Sequence, residues 1–257
     1  MQKGTYHIGT SGWSYPHWAK GRFYPRGMKP GEWLGFYAQH FDTVEVNMSF
    51  YRLPRRELLE RWRDATPGRF RFAVKTWRRI THERRLANCR DDLRLFLDSI
   101  EPIRARLCAL LVQLPPSLRL NETLLEEFLD VLREHMGRPR VRVAAEFRHT
   151  SWLCPESNAV LDRNAAALCL ADLPRYAVTE PNQAKFIYIR RHGAQGRYRG
   201  CYPEEVLVRD SDRIRSWIGQ GREVYVYFNN DMDGFAVVNA QRLRELIDQR
   251  KPLATIL

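Results

Sequence analysis

The chain has 257 residues, 44% of them hydrophobic and 28% charged, which is the balance of an ordinary globular fold and excludes disorder, collagen-like repeats or coiled coil as its main architecture. It carries 42 Lys and Arg against 30 Asp and Glu, a formal net charge of +12, and no apolar run approaches the roughly 18–20 residues that span a bilayer. The excess is uneven: residues 1–90 hold 18 basic and 7 acidic side chains, a balance of +11, whereas the remainder holds 24 and 23.

Along the chain, short apolar runs end in polar residues and are followed by a loop and an amphipathic stretch. Strands are predicted at Tyr6–Thr10, Thr43–Val46, Arg71–Lys75, Cys108–Gln113, Val141–Glu146, Ala167–Ala171, Phe186–Arg190 and Val224–Phe228. They are mostly apolar throughout, as strands buried on both faces are. Pro30-Gly31-Glu32-Trp33-Leu34 opens a helix after the first strand, and Pro54 precedes another through Leu58, Leu59 and Trp62. Asp91 and Asp92 lead into Leu93, Phe96, Leu97 and Ile100. Asn121 caps a run with Leu124, Leu125, Phe128, Leu129 and Leu132 at helical spacing. A final helix follows Asn239, with Leu243, Leu246 and Ile247. Tyr176–Lys185 carries no helical signal, and Gly193–Gly200 reads as a flexible loop able to close over a ligand.

Eight strands with intervening helices in this length predict an α/β fold, one domain over residues 1–257, built as a single (β/α)8 barrel. A doubly wound open sheet is the alternative, but no G-x-G-x-x-G or P-loop follows any strand. The first residues hold no apolar stretch of the signal-peptide kind. The five cysteines are far apart, odd in number and outside any C-x-x-C, so neither a disulfide framework nor a thiolate zinc site is expected and a cytoplasmic setting is.

Barrel enzymes draw their reactive groups from the C-terminal strand ends and the loops beyond. Those positions here are Gly9-Thr-Ser-Gly-Trp-Ser-Tyr15, Glu45-Val-Asn-Met-Ser-Phe-Tyr51, Lys75 with Ile80-Thr-His82, Gln113, Glu146-Phe-Arg-His-Thr-Ser-Trp152, Asp172, Arg190-Arg-His-Gly193 and Phe228-Asn-Asn-Asp231. This ordered set, over about residues 6 to 245, resembles the YecE-like family, a family of domains of unknown function. The resemblance implies a TIM-barrel fold and a bacterial or archaeal cytoplasmic protein, and it implies no reaction.

Function therefore has to be argued from side chains. Lys75 ends a buried strand and should face a carboxylate or a ligand, with Glu45 and Glu146 as expected partners. Lys75, Glu45, Glu146 and Asp172 are the candidate catalytic groups, for proton transfer or charge stabilisation. Trp13, Asn47, Tyr51, His82, Gln113, Arg148, Trp152, Arg190, His192, Asn229 and Asn230 are candidate substrate-binding residues, with Trp13, Tyr51 and Trp152 offering ring faces. Arg52, Arg55, Arg56, Arg78, Arg79, Arg84 and Arg85 would form a rim that concentrates anions, or else a solvated face with pairs such as Glu57 and Arg61.

The leading expectation is an enzyme (a hydrolase, lyase or isomerase) acting on an anionic, phosphate-bearing small molecule. Removing Lys75 or Glu146 should then abolish turnover and leave a folded protein. Two alternatives are a metal-dependent phosphodiesterase or nuclease, and a non-catalytic protein that binds nucleic acid. No membrane partner is expected. The cofactor is unknown; carboxylates with His82, His149 or His192 could in principle ligate a divalent metal, but no local ligand pair exists and no metal residues are assigned. Asp231-Met-Asp233-Gly234 lacks the rest of an EF-hand loop and reads as a turn.

Overall fold

Period-two alternation builds the barrel. The computed structural model describes residues 3–136, 141–196, 198–232 and 234–249. Its strands are β1 (Tyr6–Thr10), β2 (Thr43–Val46), β3 (Arg71–Lys75), β4 (Leu107–Gln113), β5 (Arg142–Glu146), β6 (Ala167–Ala171), β7 (Phe186–Arg191) and β8 (Glu223–Phe228). All neighbours are parallel, in the order β1-β8-β7-β6-β5-β4-β3-β2, and a bridge between Ser11 and Glu45 joins the two ends. The expected eight-stranded barrel is present, with four strand boundaries one residue away from their predicted places.

Alternate residues divide into two buried sets. Ala73, Ala109, Leu111, Ala144, Ala167, Cys169, Phe186, Tyr188, Tyr225 and Tyr227 pack as one cluster in the bore. Val44, Val46, Phe72, Val74, Leu110, Val112, Ile187 and Val226 face outward into the main core, under the helices. Stepping two residues from the bore positions Thr43, Ala73, Leu111, Ala144 and Tyr188 reaches Glu45, Lys75, Gln113, Glu146 and Arg190. One rule of geometry thus sends five polar side chains to the same end of the barrel.

The helices are α1 (Trp33–His40), α2 (Met48–Tyr51), α3 (Arg56–Asp64), α4 (Arg90–Ser99), α5 (Glu122–His135), α6 (Pro155–Arg163), α7 (Glu204–Gly219) and α8 (Phe235–Gln249). Asn121 does cap α5, its side chain accepting from Leu124 N at 3.0 Å. The stretch between β6 and β7 holds no helix among the described residues, as its sequence predicts. The last helix starts at Phe235, not after Asn239. Asn239 is buried inside α8, where its amide accepts from Tyr202 N at 3.2 Å and from Asn230 Nδ2 at 2.9 Å, so it is satisfied without capping anything. No helix among the described residues is long and apolar enough to cross a membrane.

The seam between β1 and β2 is closed by side chains more than by a ladder. Tyr37 of α1 sends its hydroxyl between the two strands, accepting from Thr10 N at 2.9 Å and donating to Thr43 O at 3.1 Å. Gly9 sits against the same carbonyl, where a Cβ would lie 2.1 Å from Thr43 O.

At the N-terminal end, His7 bonds Asp42 at 2.6 Å, stacks on Tyr225 with centroids 4.8 Å apart, and lies 3.5 Å from Glu223. Burial opposes its charge, but the hydrogen bonds to Asp42 and Glu223 outweigh this and raise His7 to about 9. Folding therefore favours the imidazolium. The contribution is complete below the unfolded value near 6.5 and is lost as pH rises through about 9. We expect the stability gap between the wild type and His7→Gln, measured by urea unfolding, to shrink between pH 6.5 and 9.5; a gap independent of pH would contradict the assignment.

Candidate functional site

Arg190 organises the mouth of the barrel. Its Nε and Nη2 donate to Glu45 Oε2 and Oε1 at 2.9 and 2.8 Å, and Nη1 donates to Glu146 Oε2 at 2.5 Å. Glu45 also accepts from Ser11 Oγ at 2.7 Å and Tyr188 OH at 2.8 Å, while Arg148 donates to Glu146. Arg190, Glu45 and Glu146 are each at most 2% exposed, so this is a buried ion network reaching across β2, β5 and β7. Burial disfavours both carboxylate charges. The Arg190 guanidinium outweighs it, holding Glu45 below the usual carboxylate range and Glu146 well below it. Both stay ionised at neutral pH, so they supply fixed negative charge and not an exchangeable proton.

Lys75 does not pair with Glu45 or Glu146 as expected, because Arg190 takes both. Its Nζ makes no hydrogen bond or ion pair with any described residue and lies 4.1 Å from the centre of the Phe50 ring. Burial, then the Arg190 charge, push the amine down to about 8, and the opposing pull of Glu146 and Glu45 only partly compensates. His82 sits in a π-helical turn, Arg79–Glu83, with its ring edge-on to the Phe50 ring at 4.9 Å. Burial and the charge of Lys75 lower it to about 4, so it is neutral at pH 7. His192 is wholly buried and its pKa is also lowered, first by burial. Its Nε2 lies 3.6 Å from Glu146 Oε1 and has no hydrogen-bond partner, while Nδ1 faces Asn229 Nδ2 at 3.5 Å. Asn47, at the head of α2, likewise keeps a buried Oδ1 without a partner. Gln113 Oε1 lies 3.5 Å from Arg148 Nη2. The structure thus gathers Glu45, Lys75, Gln113, Glu146, Arg148, Arg190 and His192, with Asn47, His82 and Asn229 beside them.

Other predicted site residues have structural tasks. Asp172 accepts from His192 N at 2.7 Å and from Tyr202 OH, and Tyr202 OH in turn receives Gly193 N at 2.6 Å, so its carboxylate ties down the loop after β7 and is not aimed at the mouth. Trp152 is fully buried, stacks on Phe147 at 4.7 Å and donates Nε1 to Leu118 O at 2.8 Å, which leaves no face for a ligand. Trp13 is enclosed edge-on against Trp62 at 4.8 Å. Asn230 is buried and donates to Gly200 O and Asn239 Oδ1, both at 2.9 Å. Tyr51 is 69% exposed and stands away from the network. His149 caps the turn Thr150–Trp152 by accepting from Ser151 N. The Gly193–Gly200 loop is pinned by Gly196 N to Gly193 O at 2.8 Å and Gln195 N to Arg199 O at 3.2 Å; Arg197 lies outside the described residues. Gly234 N donates to Asp231 O at 2.8 Å, a turn, and Asp233 lies outside the described residues.

The basic rim is partly neutralised. Arg79 and Arg84 share Asp92, Arg78 faces Glu83, and Arg56 rather than Arg61 makes the i,i+4 pair, with Glu60 at 3.0 Å. Arg52, Arg55 and Arg85 remain exposed without a carboxylate among the described residues. Among the described residues no group of three or more His, Cys, Asp or Glu is placed to hold a metal ion, and the two carboxylates at the centre already accept from Arg190. A cavity of about 980 Å³ lies at the opposite end of the barrel, lined by Tyr6, Asp42, Arg215, Arg244 and Asp248. Several of its polar groups pair with one another or with backbone, Tyr6 with Asp248, Arg244 with Asp42 at 3.6 Å and Arg215 with the α8 carbonyls.

Three roles escaped the sequence reading, although Ser11 and Phe50 themselves stand in the strand-end segments Gly9–Tyr15 and Glu45–Tyr51. Phe50 as the platform under Lys75 has no local signal. Tyr188 and Ser11, the extra donors to Glu45, follow from stepping two residues back from Arg190 and from the parallel register of β1 against β2.

The family described as "Protein of unknown function DUF72" matches residues 7–255. The UPF0759 protein YecE of Escherichia coli (strain K12) is 35% identical over 127 residues, 49% of this chain and 44% of that protein, so less than half of that relative's length is aligned. The UPF0759 protein YunF of Bacillus subtilis (strain 168) is 25% identical over 273 residues, 94% of each chain. A crystal structure of a DUF72 family protein from Thermotoga maritima MSB8 superposes with a TM-score of 0.83 at 30% identity, covering 95% of this chain and 100% of that one.

Proposed function

The chain belongs to the DUF72 family of proteins of unknown function, and we propose that it is an enzyme acting on an anionic, phosphate-bearing small molecule at the C-terminal mouth of its barrel. One observation carries the reading: Lys75, a cation-forming amine pushed down to about 8, stands at the mouth over the Phe50 ring with no hydrogen-bond or ion-pair partner among the described residues. Around it Glu45 and Glu146 offset Arg190 and Arg148, so a protonated Lys75 leaves the inner mouth with one uncompensated positive charge. That favours an anion, while an amine that gains and loses its proton near pH 8 suits acid–base work. Asn47 Oδ1, buried without a hydrogen-bond partner, and His192 Nε2, buried with only the long 3.6 Å approach to Glu146, are the kind of polar atoms that a substrate would satisfy. The five unpaired cysteines support a reducing, cytoplasmic setting.

Thermal unfolding in the presence of phosphorylated sugars and nucleotides tests the reading. A ligand at about 100 times its Kd should stabilise by roughly 2.7 kcal/mol. For a chain of this size that is a rise in Tm of several degrees, and Lys75→Met should lose it. No rise with any compound, or an equal rise in Lys75→Met, would sink the reading.

A second reading, a nucleic-acid strand held on the rim, is favoured by the exposed Tyr51 beside Arg52 and Arg55. It requires oligonucleotide binding that weakens steeply as salt rises and that survives Lys75→Met.

A further inference from the structure

The Lys75 amine is built for more than holding a charge. An ammonium kept for electrostatic binding carries three N–H donors and needs acceptors for them. Here the neighbouring surface is the face of Phe50, and both carboxylates within range are occupied by Arg190, Ser11, Tyr188 and Arg148. The same arrangement leaves the nitrogen without a hydrogen-bond acceptor among the described residues, at the C-terminal end of β3. Resting on the reading of the mouth as a reaction site, we propose that the Lys75 amine forms an imine with an aldehyde or ketone substrate that carries an anionic group.

The step balances without an oxidant or reductant. The free amine attacks the carbonyl carbon, a C–N bond forms, and the C=O π electrons move to oxygen. That oxygen then leaves as water and the C–O bond breaks. Overall the ammonium and the carbonyl compound give a protonated imine and water, so one positive charge is retained on nitrogen. Glu45 and Glu146, ionised and fixed, lie on the side where that charge remains. Arg148, 14% exposed and within reach of Gln113, is the guanidinium at this mouth with some access to solvent and is placed to meet the substrate's anionic group. Neutral His192 and Asn47 offer their unpaired atoms to the departing oxygen or to other polar groups of the substrate. The depressed basicity of Lys75 adds support: at pH 7 its unprotonated fraction is on the order of 10²-fold that of an ordinary lysine.

Glyoxylate, the smallest anionic aldehyde, with cyanoborohydride as the trap tests the proposal. Reduction turns any imine into a carboxymethyl-lysine that peptide mass mapping locates. We expect Lys75 to be labelled about tenfold or more faster at pH 7 than the exposed Lys3, Lys20 and Lys29. Its rate should rise with pH and level off above about 8. Formaldehyde run in parallel should show a smaller preference for Lys75, because it lacks the anionic group. Lys75 labelled no faster than the exposed lysines by either aldehyde overturns the proposal.

Lys75→Arg separates this failure from failure of the broader reading. It keeps the charge and cannot form an imine. If the wild type and Lys75→Arg both respond to phosphorylated compounds in thermal unfolding, and no Lys75 label appears, the anion site stands and the imine falls. If Lys75 is labelled but no phosphorylated compound raises Tm, the imine stands and phosphate falls as the substrate's anion.

Discussion

Arg190→Met is expected to cost about 3–5 kcal/mol of stability, or to prevent folding outright. The reason lies in what the substitution leaves behind. Arg190 donates three hydrogen bonds to two carboxylates that are themselves fully buried, Glu45 at 0% and Glu146 at 1% exposed. Without the guanidinium Glu45 keeps only the hydroxyls of Ser11 and Tyr188, and Glu146 keeps Arg148. Two desolvated anions would then share one end of the bore, and either they ionise at high cost or their pKa values rise until they take up protons. Stability in urea at pH 7 and at pH 5 reads this directly, because the variant should recover somewhat on acidification while the wild type should not. A triple variant, Arg190→Met with Glu45→Gln and Glu146→Gln, removes the charges together and should regain a substantial part of the loss. A single variant within about 1 kcal/mol of the wild type, or a triple variant no better than the single, would show that the network does not hold the barrel top. By the same logic Glu146 is not removable without consequence for the fold: Glu146→Ala strands the guanidinium ends that it receives, so loss of turnover in that variant would not by itself mark a catalytic role.

The second large effect is expected at the seam. Gly9→Ala places a methyl carbon 2.1 Å from Thr43 O, a backbone atom of the neighbouring strand, and 2.9 Å from the Tyr37 hydroxyl. Neither can retreat cheaply. Thr43 is held in register opposite Arg71 of β3, and the Tyr37 hydroxyl already bridges Thr10 N and Thr43 O. Relief requires β1 and β2 to part, which would open the barrel at the place where its pairing is thinnest, a bridge between Ser11 and Glu45. Overpacking a tight core costs about 1–3 kcal/mol, and more where backbone must move; we expect the upper end or beyond, read as a fall in the urea midpoint, with m falling if the seam frays because a frayed native state exposes less new surface on unfolding. Gly35→Ala in α1, whose Cβ would come no closer than 3.5 Å to a neighbouring carbonyl, is the control and should be near neutral or mildly stabilising. Equal effects at the two positions would refute the steric account.

Composition, strand length and the order of polar residues at strand ends were enough to reach the barrel, its eight strands to within one residue at the shifted boundaries, and the helix-free connection between β6 and β7. Those features are local: period-two burial and capping chemistry act within a few residues of chain. The same local rule made Glu45, Lys75, Gln113, Glu146 and Arg190 legible as a set, since in a closed barrel inward residues at matching strand ends must meet. It could not say who pairs with whom. Arg190 takes both glutamates because its forked guanidinium spans two carboxylates at once, which the compact ammonium of Lys75 cannot do with comparable geometry. That choice, made across about 145 residues of chain, is what leaves Lys75 alone on Phe50, where burial first and the Arg190 charge second lower its pKa. Asp172, Trp152 and Asn230 look in sequence like members of the same mouth, yet loop packing turns them to backbone and core partners that no spacing rule encodes. The sequence by itself therefore determined which residues arrive at the mouth, through strand alternation. Only the tertiary structure decided which of them remain unpaired there, because pairing depends on side-chain reach and burial between strands distant in the chain.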